Sequence, residues 1–598
     1  MSDSEREDET TTDPYSLGDH DGEEGDEGHN VFWADEVADE IEARDPTEPV
    51  VIKGAISPSG VPHLGNVNEI MRGYFVAEVL RDRGYSVRQV FTTDDRDPLR
   101  KLPRKLADLD GNIVDLGDVN AGALGQNLGR PYTDIPDPFG CCDSYGAHFS
   151  NLIADCAQLL GVDIDIVSTT DLYENGDFEE LTRYVLDHQE RARDVLGEYQ
   201  DKVDEEYVPF NPICGECGKV TETVTAVDTD AGTVEYRCTD MEAGDRVIDG
   251  CGHEGAATLR EGKLPWRFEW PAGWEVLGVD FEPFGKDHAE GSWPSGVDIA
   301  ENVFDIQPPV PMVYEWFTLD GKPFSSSEGH VVMVHDVLEL LEPEVLRYFF
   351  SKDPSKARDF SIERLDQLVD DFDRTEQLYF GEESGTEREE ALATRAYPPS
   401  VRPTVADRFA DALSEDSDTV WRKMANDRDA REQVADLLAE DFADRVRIPY
   451  TFAAVLGMFD DPELRADVAR KEGHLADDTP EWAIDTAMGR VEQASEWASR
   501  TDNEFNYELK RATIPEVEFD AATEAALDEL ADFVAEGHDG EAIQGEIYET
   551  AKRHDVPIGD LFGAGYRLLF DEDEGPQLGP FVAKLDRAFV VGRFRRDR

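Results

Sequence analysis

The chain has 598 residues, long enough for several domains, and its 134 Asp and Glu residues far outnumber its 57 Lys and Arg residues, giving a net charge of −77. In dilute buffer such a chain repels itself strongly, whereas in molar salt the Debye length is about 3 Å and the repulsion is screened. Because the acids occur along the whole sequence, we interpret them as adaptation to a saline cytoplasm. No apolar run of about 18 residues occurs, which argues against a membrane-spanning segment and a membrane partner.

Residues 1–30 are acidic and polar, and they contain neither a basic segment nor an apolar one. We therefore expect a disordered tail and not a secretory signal. Cysteines lie at positions 141, 142, 156, 214, 217, 238 and 251. An odd number of cysteines in a large chain without an export signal favours metal ligands over disulfides.

The first part of the chain after this tail alternates strand and helix patterns. Residues 48–56 form a short β-rich run, residues 57–66 a loop rich in Gly and Pro, residues 67–83 an amphipathic helix, and residues 85–93 a second strand. This order is typical of a parallel α/β sheet. Residues 264–350 return to the same kind of pattern.

The remaining segments have different compositions. Residues 95–145 are rich in Asp, Gly and Pro, residues 150–200 have helical periodicity, and residues 207–262 combine cysteines with short strands. From about residue 360 amphipathic helices dominate, at 362–380, 404–414, 430–445, 481–500 and 521–535. We therefore predict an α/β domain over 31–94 and 264–358, an insertion over 95–263, and a helical domain over 359–598.

The loop between the first strand and the first helix has the composition of a phosphate site. Gly60 and Gly65 let the backbone approach a phosphate, and the helix behind them offers free N–H groups. His63 can donate a hydrogen bond to an attacked phosphate, and Asn66 can donate a second one. An ordinary strand–helix turn with a surface histidine explains the same residues equally well.

A second polar stretch, DGKPFSSSEGH at residues 320–330, follows an apolar strand. Its hydroxyl groups and Lys322 suit a mobile loop over a triphosphate. A serine-rich linker would have the same composition, so this stretch alone does not establish a site.

Together and in this order, the two segments resemble the HIGH and KMSKS signatures of class I aminoacyl-tRNA synthetases. HLGN at 63–66 matches the first, and PFSSS at 323–327 aligns poorly with the second, because Pro323 and Ser326 stand where that signature has lysines. More segments are similar to class I lysyl-tRNA synthetases: ISPSGVPHLGN, LRDRGYSVRQVFTTDDRDPLRKLP, IPDPFGCCDSY, WRFEWPAGWEVLGVDFEPFGKDH, PFSSSEGHVV and GPQLGPF. They extend over most of the chain beyond the tail.

This resemblance implies a Rossmann-type catalytic domain with a zinc-binding insertion, followed by an all-α domain that binds the anticodon. It implies a lysine–tRNA ligase that uses ATP and Mg²⁺ to convert L-lysine into lysyl-adenylate and then charges tRNA(Lys). We expect a monomer in the cytoplasm.

The resemblance also assigns candidate site residues. Catalysis would depend on His63, Asn66, Lys322, Ser325 and Ser327. ATP would contact Pro58, Ser59, Gly60, Gly65, Asp287 and His288. The lysine pocket would use Ala55, Ser57, Trp270, Trp274, Asp280 and Glu282. In that pocket the tryptophans would form apolar walls and the two acids would attract the ε-ammonium group, although core packing explains the tryptophans equally well.

Two groups of residues have the pattern of metal ligands. The first has the spacing of a zinc ribbon and consists of Cys214, Cys217 and Cys238 with either Cys251 or His253. The second consists of Asp137, Cys141, Cys142 and His148. Its spacing is a weak indication, which the resemblance to a metal-binding segment of the family strengthens. Both would be structural Zn²⁺ sites, since neither leaves an open position.

Two basic clusters depart from the acidic composition. One consists of Arg96, Arg100, Lys101, Arg104 and Lys105, and the other of Arg593, Arg595, Arg596 and Arg598. Either cluster could contact RNA phosphates or pair with acids of the protein itself. Three other identities stay open: a class I synthetase for another amino acid such as glutamate or arginine, a non-catalytic tRNA-binding relative, and a zinc-ribbon nucleic-acid module.

Overall fold

The computed structural model describes residues 12–15, 31–201, 203–244, 246–324, 330–413, 416–440, 442–459, 461–511 and 515–596. The chain divides into two compact units. Unit 1 consists of Met1–Val337, Pro343–Ser361 and Thr375–Leu438, and unit 2 of Leu338–Glu342, Ile362–Arg374 and Ala439–Arg598. This division differs from the predicted boundary near residue 358, and the assignment of functional domains stays a prediction. No helix among the described residues is long and apolar enough to cross a membrane.

Short strands and helices alternate in the first part of the chain. Up to residue 263 they are α1 (Trp33–Ala43), β1 (Val50–Ile56), α2 (Leu64–Asp82), β2 (Val87–Thr93), β3 (Lys105–Ala107), β4 (Ile113–Asp115), α3 (Ala121–Gln126), α4 (Tyr145–Leu159), β5 (Asp165–Ser168), α5 (Thr169–Asn175), α6 (Glu179–Asp187), α7 (Gln189–Gly197), β6 (Asn211–Pro212), β7 (Val224–Asp228), β8 (Thr233–Arg237), β9 (Met241–Ala243), β10 (Arg246–Ile248), β11 (Glu254–Thr258) and β12 (Gly262–Lys263). From there to residue 360 they are α8 (Trp266–Leu277), β13 (Phe281–Gly285), α9 (Lys286–Ala289), α10 (Ser292–Ile299), β14 (Val310–Tyr314), β15 (Phe317–Leu319), α11 (Val334–Leu338), α12 (Pro343–Ser351) and β16 (Arg358–Phe360).

The central sheet contains five parallel strands in the order β14-β13-β1-β2-β5. From β1 the chain continues to one side of the sheet, as β2 and β5, and later adds β13 and β14 on the other side. The order therefore reverses between β1 and β13. Ligands of open parallel sheets bind beyond the carboxyl ends of the strands at such a point. The parallel α/β sheet predicted from the sequence is confirmed.

Helix α2 connects β1 to β2 and is buried over most of its surface. Val67, Ile70 and Phe75 are fully buried, in agreement with the predicted apolar face. The charged Arg72 is buried as well, and its Nη1 donates to two backbone carbonyls at the end of α12, at 2.8 and 2.6 Å. Because the helix begins at Leu64, residues 57–63 form the loop that crosses the carboxyl edge of the sheet.

The predicted insertion over 95–263 is interrupted by a strand of the central sheet. β5 lies within this range and pairs in parallel with β2, from Val90 opposite Asp165 to Thr93 opposite Ser168. The helical periodicity of the surrounding residues concealed this strand, which is only four residues long. The chain thus returns to the sheet within the range predicted as an insertion, and the assignment of the insertion stays a prediction.

The elements described after residue 364 are helices, as predicted. They are α13 (Leu365–Tyr379), α14 (Glu387–Leu413), α15 (Ser417–Asn426), α16 (Arg428–Glu440), α17 (Tyr450–Gly457), α18 (Pro462–Lys471), α19 (Glu481–Thr501), α20 (Ala521–Glu536), α21 (Gly540–Arg553), α22 (Ile558–Phe570), α23 (Leu578–Lys584) and α24 (Arg587–Phe594).

A buried group of ion pairs joins separate segments of unit 2. Arg490 of α19 donates from Nη1 and Nη2 to the two carboxylate oxygens of Asp373, at 2.6 and 2.9 Å, and from Nε to Glu342. Its Nη1 also donates to the carbonyl of Ile448 at 3.0 Å, and its side chain is only 2% exposed. The pairing with both carboxylates offsets the cost of burying the guanidinium group.

Replacing Arg490 with Met should leave Asp373 buried without its cation and Glu342 with only the longer contact to Arg445, at 3.7 Å. We expect the free energy of unfolding of the protein to fall by about 3–5 kcal/mol, measured by urea unfolding at constant molar KCl. Arg470, whose ion pair with Asp467 is 38% and 73% exposed, provides a matched control in the same unit. Arg470→Met should change the free energy by less than about 1 kcal/mol, and equal effects of the two substitutions would contradict the role of the buried group.

Candidate active site

A cavity of about 770 Å³ opens at the carboxyl edge of the central sheet. Its walls come from the loop after β1, the first turns of α2, the residues after β2, the beginning of α8, and the end of β13 with the α9 helix that follows. The cavity therefore lies where the strand order reverses, which is the position expected for a ligand site in such a sheet.

A buried ion pair joins the two strands at this point. Lys53 Nζ of β1 lies 2.6 Å from Glu282 Oε1 of β13. The indole N–H groups of Trp270 and Trp274 donate to the same carboxylate, at 3.0 and 2.5 Å. Burial by itself lowers the pKa of Lys53, but Glu282 more than offsets this effect and the pKa is raised, so the lysine stays charged. Glu282 lines the cavity as predicted, yet its charge is already neutralised inside the protein.

A second buried lysine balances two more acids. Lys263 Nζ lies 2.7 Å from Glu269 Oε2 and also pairs with Asp97. The hydroxyl of Tyr173 donates to Glu269 at 2.9 Å. Burial lowers the pKa of Lys263, while Asp97 and Glu269 raise it by more, so the net shift is upward. Lys263 is therefore also paired with carboxylates of the protein and is not available to a ligand.

Glu69 and Asp94 line the same cavity and lack an ion pair with any residue that the structure describes. Glu69 accepts hydrogen bonds from the backbone N–H of Ala55 at 2.6 Å and from the hydroxyl of Tyr314 at 2.9 Å. Burial raises the pKa of Glu69 to about 7, although the bond from Ala55 acts in the opposite direction. Burial, and after it the charge of Asp97, raises the pKa of Asp94 well above its usual range. Within the described ranges neither carboxylate forms an ion pair.

His63 and Asn66 are fixed by the beginning of α2. Asn66 Oδ1 accepts the backbone N–H of His63 at 3.0 Å, and His63 Nδ1 accepts the N–H of Gly65 at 3.1 Å. Burial lowers the pKa of His63 to about 4, so the ring is neutral at neutral pH and its proton is on Nε2. The Nε2–H group and the Asn66 amide are then the donors available to a ligand. A Cβ at position 65 would lie 2.8 Å from the His63 ring, which explains the glycine.

Most residues predicted from the sequence surround this cavity. Those that line it are Ala55, Ser57, Ser59, Gly60, His63, Asn66, Trp270, Glu282 and His288. Those that do not line it are Pro58, Gly65, Trp274, Asp280, Asp287 and Lys322. Ser325 and Ser327 lie outside the described residues.

Asp280 lies at the amino end of β13, at the edge of the sheet opposite the cavity. Its Oδ2 accepts the N–H of Val51 at 2.8 Å, and its own N–H donates to the Val51 carbonyl at 2.9 Å. The prediction that Asp280 attracts the substrate is therefore wrong. Glu282, two residues further along the strand, does reach the cavity.

Of the predicted nucleotide contacts on α9, only His288 faces the cavity. Its ring lies 5.7 Å from the ring of Trp270 and 6.0 Å from that of Trp266. The Asp287 side chain is 53% exposed. A contact between Asp287 and a nucleotide stays a prediction.

Lys322 lies in a tight turn beyond the cavity. The N–H of Leu319 donates to the carbonyl of Lys322 at 2.8 Å, the reverse bond is 3.1 Å long, and both intervening residues have positive φ. The side chain of Lys322 is exposed. Two residues later, Phe324 stacks on the His63 ring with the ring centroids 5.0 Å apart. The chain therefore passes beside His63 immediately before residues 325–329.

Four cysteine sulfurs converge in the segment 207–262. Cys214 and Cys251 have their Sγ atoms 3.6 Å apart, Cys217 and Cys238 3.7 Å apart, and all four Sγ atoms lie within 4.8 Å of one another. Tetrahedral zinc with Zn–S bonds of about 2.3 Å requires sulfurs about 3.8 Å apart, so this donor set fits zinc. His253 is not part of it, since its backbone carbonyl rather than its ring meets the group, accepting the N–H of Cys238 at 2.8 Å. The alternative with His253 as a ligand is wrong.

The second predicted group also converges. His148 Nδ1 lies 3.3 Å from Cys141 Sγ and 3.5 Å from Asp137 Oδ1, and Cys142 Sγ lies 3.9 Å from Cys141 Sγ. His148 Nε2 is 2.8 Å from the carbonyl of Ala107, which places the ring proton on Nε2 and leaves Nδ1 free to bind a metal. The mixture of sulfur, nitrogen and oxygen donors suits tetrahedral zinc.

The basic cluster after β2 separates into two kinds of residue. Arg96 is buried and donates to the carbonyl of Gly262 at 2.9 Å, and Lys105 pairs with Asp115 at 2.9 Å. The others, Arg100, Lys101 and Arg104, are exposed and form no ion pair within the described residues. At the end of the chain, Arg595 and Arg596 pair with Asp532 and Asp528, which favours the reading of that cluster as internal ion pairs. Arg598 lies outside the described residues.

Sequence analysis missed Glu69 and Asp94, two acids of the cavity that form no ion pair among the described residues. A signal for each was present. Asp94 is the first residue after β2, where the carboxyl ends of parallel strands meet. Glu69 follows Asn66 by three residues, which places both on the same face of α2.

Comparisons with known proteins extend over nearly the whole chain. A family model described as tRNA synthetases class I (K) matches residues 31–400. The lysine–tRNA ligase of Haloarcula marismortui is 68% identical over 567 residues, which cover 95% of this chain and 97% of that protein. The lysine–tRNA ligase of Halobacterium salinarum is 67% identical over 570 residues, with coverages of 95% and 97%. The lysine–tRNA ligase of Pyrococcus horikoshii is 30% identical over 590 residues, with coverages of 95% and 100%.

Proposed function

The chain belongs to the lysine family of class I tRNA synthetases, and we propose that it is a lysine–tRNA ligase. It activates L-lysine with ATP to form lysyl-adenylate and pyrophosphate, and it then transfers the lysyl group to tRNA(Lys).

The charge balance of the cavity is the observation that supports lysine as the amino acid. Lys53 and Lys263 are each paired with buried acids, whereas Glu69 and Asp94, like the exposed Glu222, form no ion pair among the described residues. Free lysine brings two ammonium groups and an aliphatic stem, which complement two carboxylates. Glu69 and Asp94 would repel the side-chain carboxylate of glutamate, so these two acids argue against a glutamyl enzyme.

Each ammonium group of lysine has a carboxylate in this proposal. Glu69 binds the ε-ammonium group, because its carboxylate is held in place by Ala55 and Tyr314 and a fixed group discriminates better between side chains. Asp94 binds the α-ammonium group. The stacked rings of Trp266 and Trp270, with centroids 5.0 Å apart, line the cavity beside the aliphatic stem.

Adenylate formation then depends on positioning and electrostatics. A carboxylate oxygen of lysine attacks the α-phosphorus of ATP, and the bond from this phosphorus to the bridging oxygen breaks, its electron pair leaving with pyrophosphate. His63 donates a hydrogen bond from Nε2 to the α-phosphate while remaining neutral, and the Asn66 amide donates a second one. In the transfer step a ribose hydroxyl of tRNA attacks the lysyl carbonyl and AMP leaves.

The other predicted contacts remain part of this proposal. Backbone groups of Ala55 and Ser57 contact the amino acid, and the loop from Pro58 to Gly65, Asp287 and His288 contact ATP, which enters with Mg²⁺. Lys322 and the hydroxyls of Ser325 and Ser327 approach the triphosphate. The position of Phe324 against His63 supports this approach, because Lys322 is two residues away and consecutive Cα atoms are about 3.8 Å apart.

Both converging groups of cysteines would hold structural zinc in this proposal. Cys214, Cys217, Cys238 and Cys251 would bind one ion, and Asp137, Cys141, Cys142 and His148 the other. Zinc contributes to folding in such closed sites. The helices after residue 359 bind the anticodon, and the protein acts as a monomer in a saline cytoplasm; the net charge of −77 supports the saline environment.

Aminoacylation in molar KCl tests the proposed function. The purified protein should charge tRNA(Lys) with lysine and should not charge any tRNA with glutamate or arginine. Charging with another amino acid in the absence of lysine charging would reject the assignment. A sample dialysed into dilute buffer should lose its activity and its folded structure together, because carboxylate repulsion is no longer screened.

Lysine affinity should depend on pH through Glu69. The pKa of this carboxyl is about 7 in the free protein, and only its ionised form attracts an ammonium group. As the pH falls below about 7, the KM for lysine should therefore rise about tenfold per unit, while the KM for ATP stays nearly constant. Glu69→Gln should raise the KM for lysine by about 10–100-fold and weaken this pH dependence, leaving only the part that comes from Asp94.

Glu275 on the exposed side of α8 gives a matched control, since Glu275→Gln removes the same charge outside the cavity. A pH dependence of the lysine KM that persists unchanged in Glu69→Gln would show that another group binds the ε-ammonium.

Metal content tests the two zinc groups. Protein purified without chelators should contain about two zinc ions per chain by elemental analysis. Cys217→Ser and Cys141→Ser should each remove one ion and lower the melting temperature more than they slow adenylate formation. Cys156→Ala provides the control, because this buried cysteine belongs to neither group and its variant should keep both ions. A wild-type protein without zinc would contradict both assignments.

A further inference from the structure

Arg100 and Lys101 are the described Lys and Arg residues that line the cavity without an acidic partner. Both are exposed, and neither forms an ion pair or a side-chain hydrogen bond within the part of the chain that is described. Both residues also line the cavity that contains His63, Asn66 and the unpaired acids.

The backbone that carries these two residues is held on both sides. The N–H of Leu99 donates to the carbonyl of Arg130, and the carbonyl of Leu99 accepts the N–H of Gly129, both at 2.9 Å. Leu99 is 1% exposed, and Leu106 is fully buried on the other side. The two cations are therefore presented by an anchored segment, so little order has to be gained when they bind a ligand.

An apolar cluster connects this segment to the loop after β1. Val61 is buried in the same cluster as Leu99, with Leu102 packed against it. The hydroxyl of Tyr145, another member of the cluster, donates to the carbonyl of Ser59 at 2.8 Å. Arg100 and Lys101 are thus attached to the loop that presents His63.

The cavity is therefore lined by both acids and cations. The carboxylates of Glu69 and Asp94 suit the ammonium groups of lysine, whereas Arg100 and Lys101 are attached to the loop proposed to bind ATP. We propose that Arg100 and Lys101 bind the β- and γ-phosphates of ATP and stabilise the pyrophosphate that leaves when lysyl-adenylate forms. This inference rests on the proposed lysine activation.

The chemistry of the step requires cations at this place. When the lysine carboxylate attacks the α-phosphorus, the electron pair of the broken bond leaves with pyrophosphate, so negative charge increases on the β- and γ-phosphates. Preorganised cations that contact these oxygens stabilise the transition state more than the ground state. The serine-rich stretch has only one lysine, Lys322, which lies beyond the cavity.

High salt makes direct contact necessary. At molar ionic strength the Debye length is about 3 Å, so distant charges contribute little to the binding of ATP. Only cations within hydrogen-bond distance of the phosphates are effective. Unpaired side chains on an anchored segment at the wall of the cavity meet this requirement.

Variants of the two residues can be compared with a closely matched control. Arg104 lies in the same segment, is exposed, forms no ion pair with the residues described, and does not line the cavity. Arg100→Gln, Lys101→Gln and Arg104→Gln each remove one positive charge. ATP–pyrophosphate exchange with lysine, measured with tRNA present and absent in molar KCl, should slow by about 10²-fold in the first two variants. Arg104→Gln should stay within about twofold of the parent, and the KM for lysine should be unchanged in all three.

Binding of inorganic tripolyphosphate tests the cation site without lysine or tRNA. Calorimetry should show at least about tenfold weaker binding for Arg100→Gln and Lys101→Gln than for the parent and Arg104→Gln. This measurement separates the two proposals: a parent that binds tripolyphosphate but shows no exchange with lysine would reject the proposed function and keep the phosphate site. Arg100→Lys, which retains a cation, should recover part of the loss and excludes general unfolding as its cause.

Two results would overturn the inference. In the first, Arg100→Gln and Lys101→Gln behave like Arg104→Gln in exchange and in tripolyphosphate binding. In the second, exchange is normal but transfer of lysine from preformed lysyl-adenylate to tRNA is slow. The cations would then contact phosphates of the tRNA instead of ATP.

Discussion

The ion pair between Lys53 and Glu282 determines how the rest of the cavity is arranged. It connects β1 to β13 at the point where the strand order reverses, and two tryptophan indoles of α8 donate to the same carboxylate. Removing either partner would leave an uncompensated buried charge, which is strongly unfavourable. The pair therefore fixes the position of β1 and β13 relative to α8. It also neutralises Glu282, the one acid of β13 that reaches the cavity.

Glu282 and Lys263 are already paired with charged groups of the protein. Glu69 and Asp94 are not, so their negative charges are unfavourable in the free protein. Burial raises the pKa of Glu69 to about 7, so part of its population holds a proton at neutral pH, and burial raises the pKa of Asp94 as well. An ammonium group of the ligand replaces the proton of Glu69 with its own charge. Recognition of the amino acid is then coupled to proton release, and a neutral or acidic side chain would leave the carboxylates unsatisfied.

The sequence predicted the features that depend on neighbouring residues. The apolar strand, the glycine-containing loop and the beginning of α2 are local, and so are the spacings of both metal-ligand groups. Pairing of charges is not local: Lys53 and Glu282 are 229 residues apart, and only the register of β1 with β13 brings them together. For the same reason the sequence could not distinguish Asp280 from Glu282, since the direction of the strand decides which acid reaches the carboxyl edge. The four-residue strand β5 carried too short a pattern to be recognised within a helical region.

A protein with a net charge of −77 still has to bind two polyanions, ATP and tRNA. Screening in molar salt confines the effect of each charge to about 3 Å, so an acidic surface is compatible with phosphate binding wherever the local contacts are cationic. The basic residues at the end of the chain do not meet this condition, because Arg595 and Arg596 are already paired with acids. Arg100 and Lys101 do meet it. In such a protein, a basic residue that is already paired with an acid is part of a structural ion pair. A basic residue without such a partner is the kind that can bind phosphate.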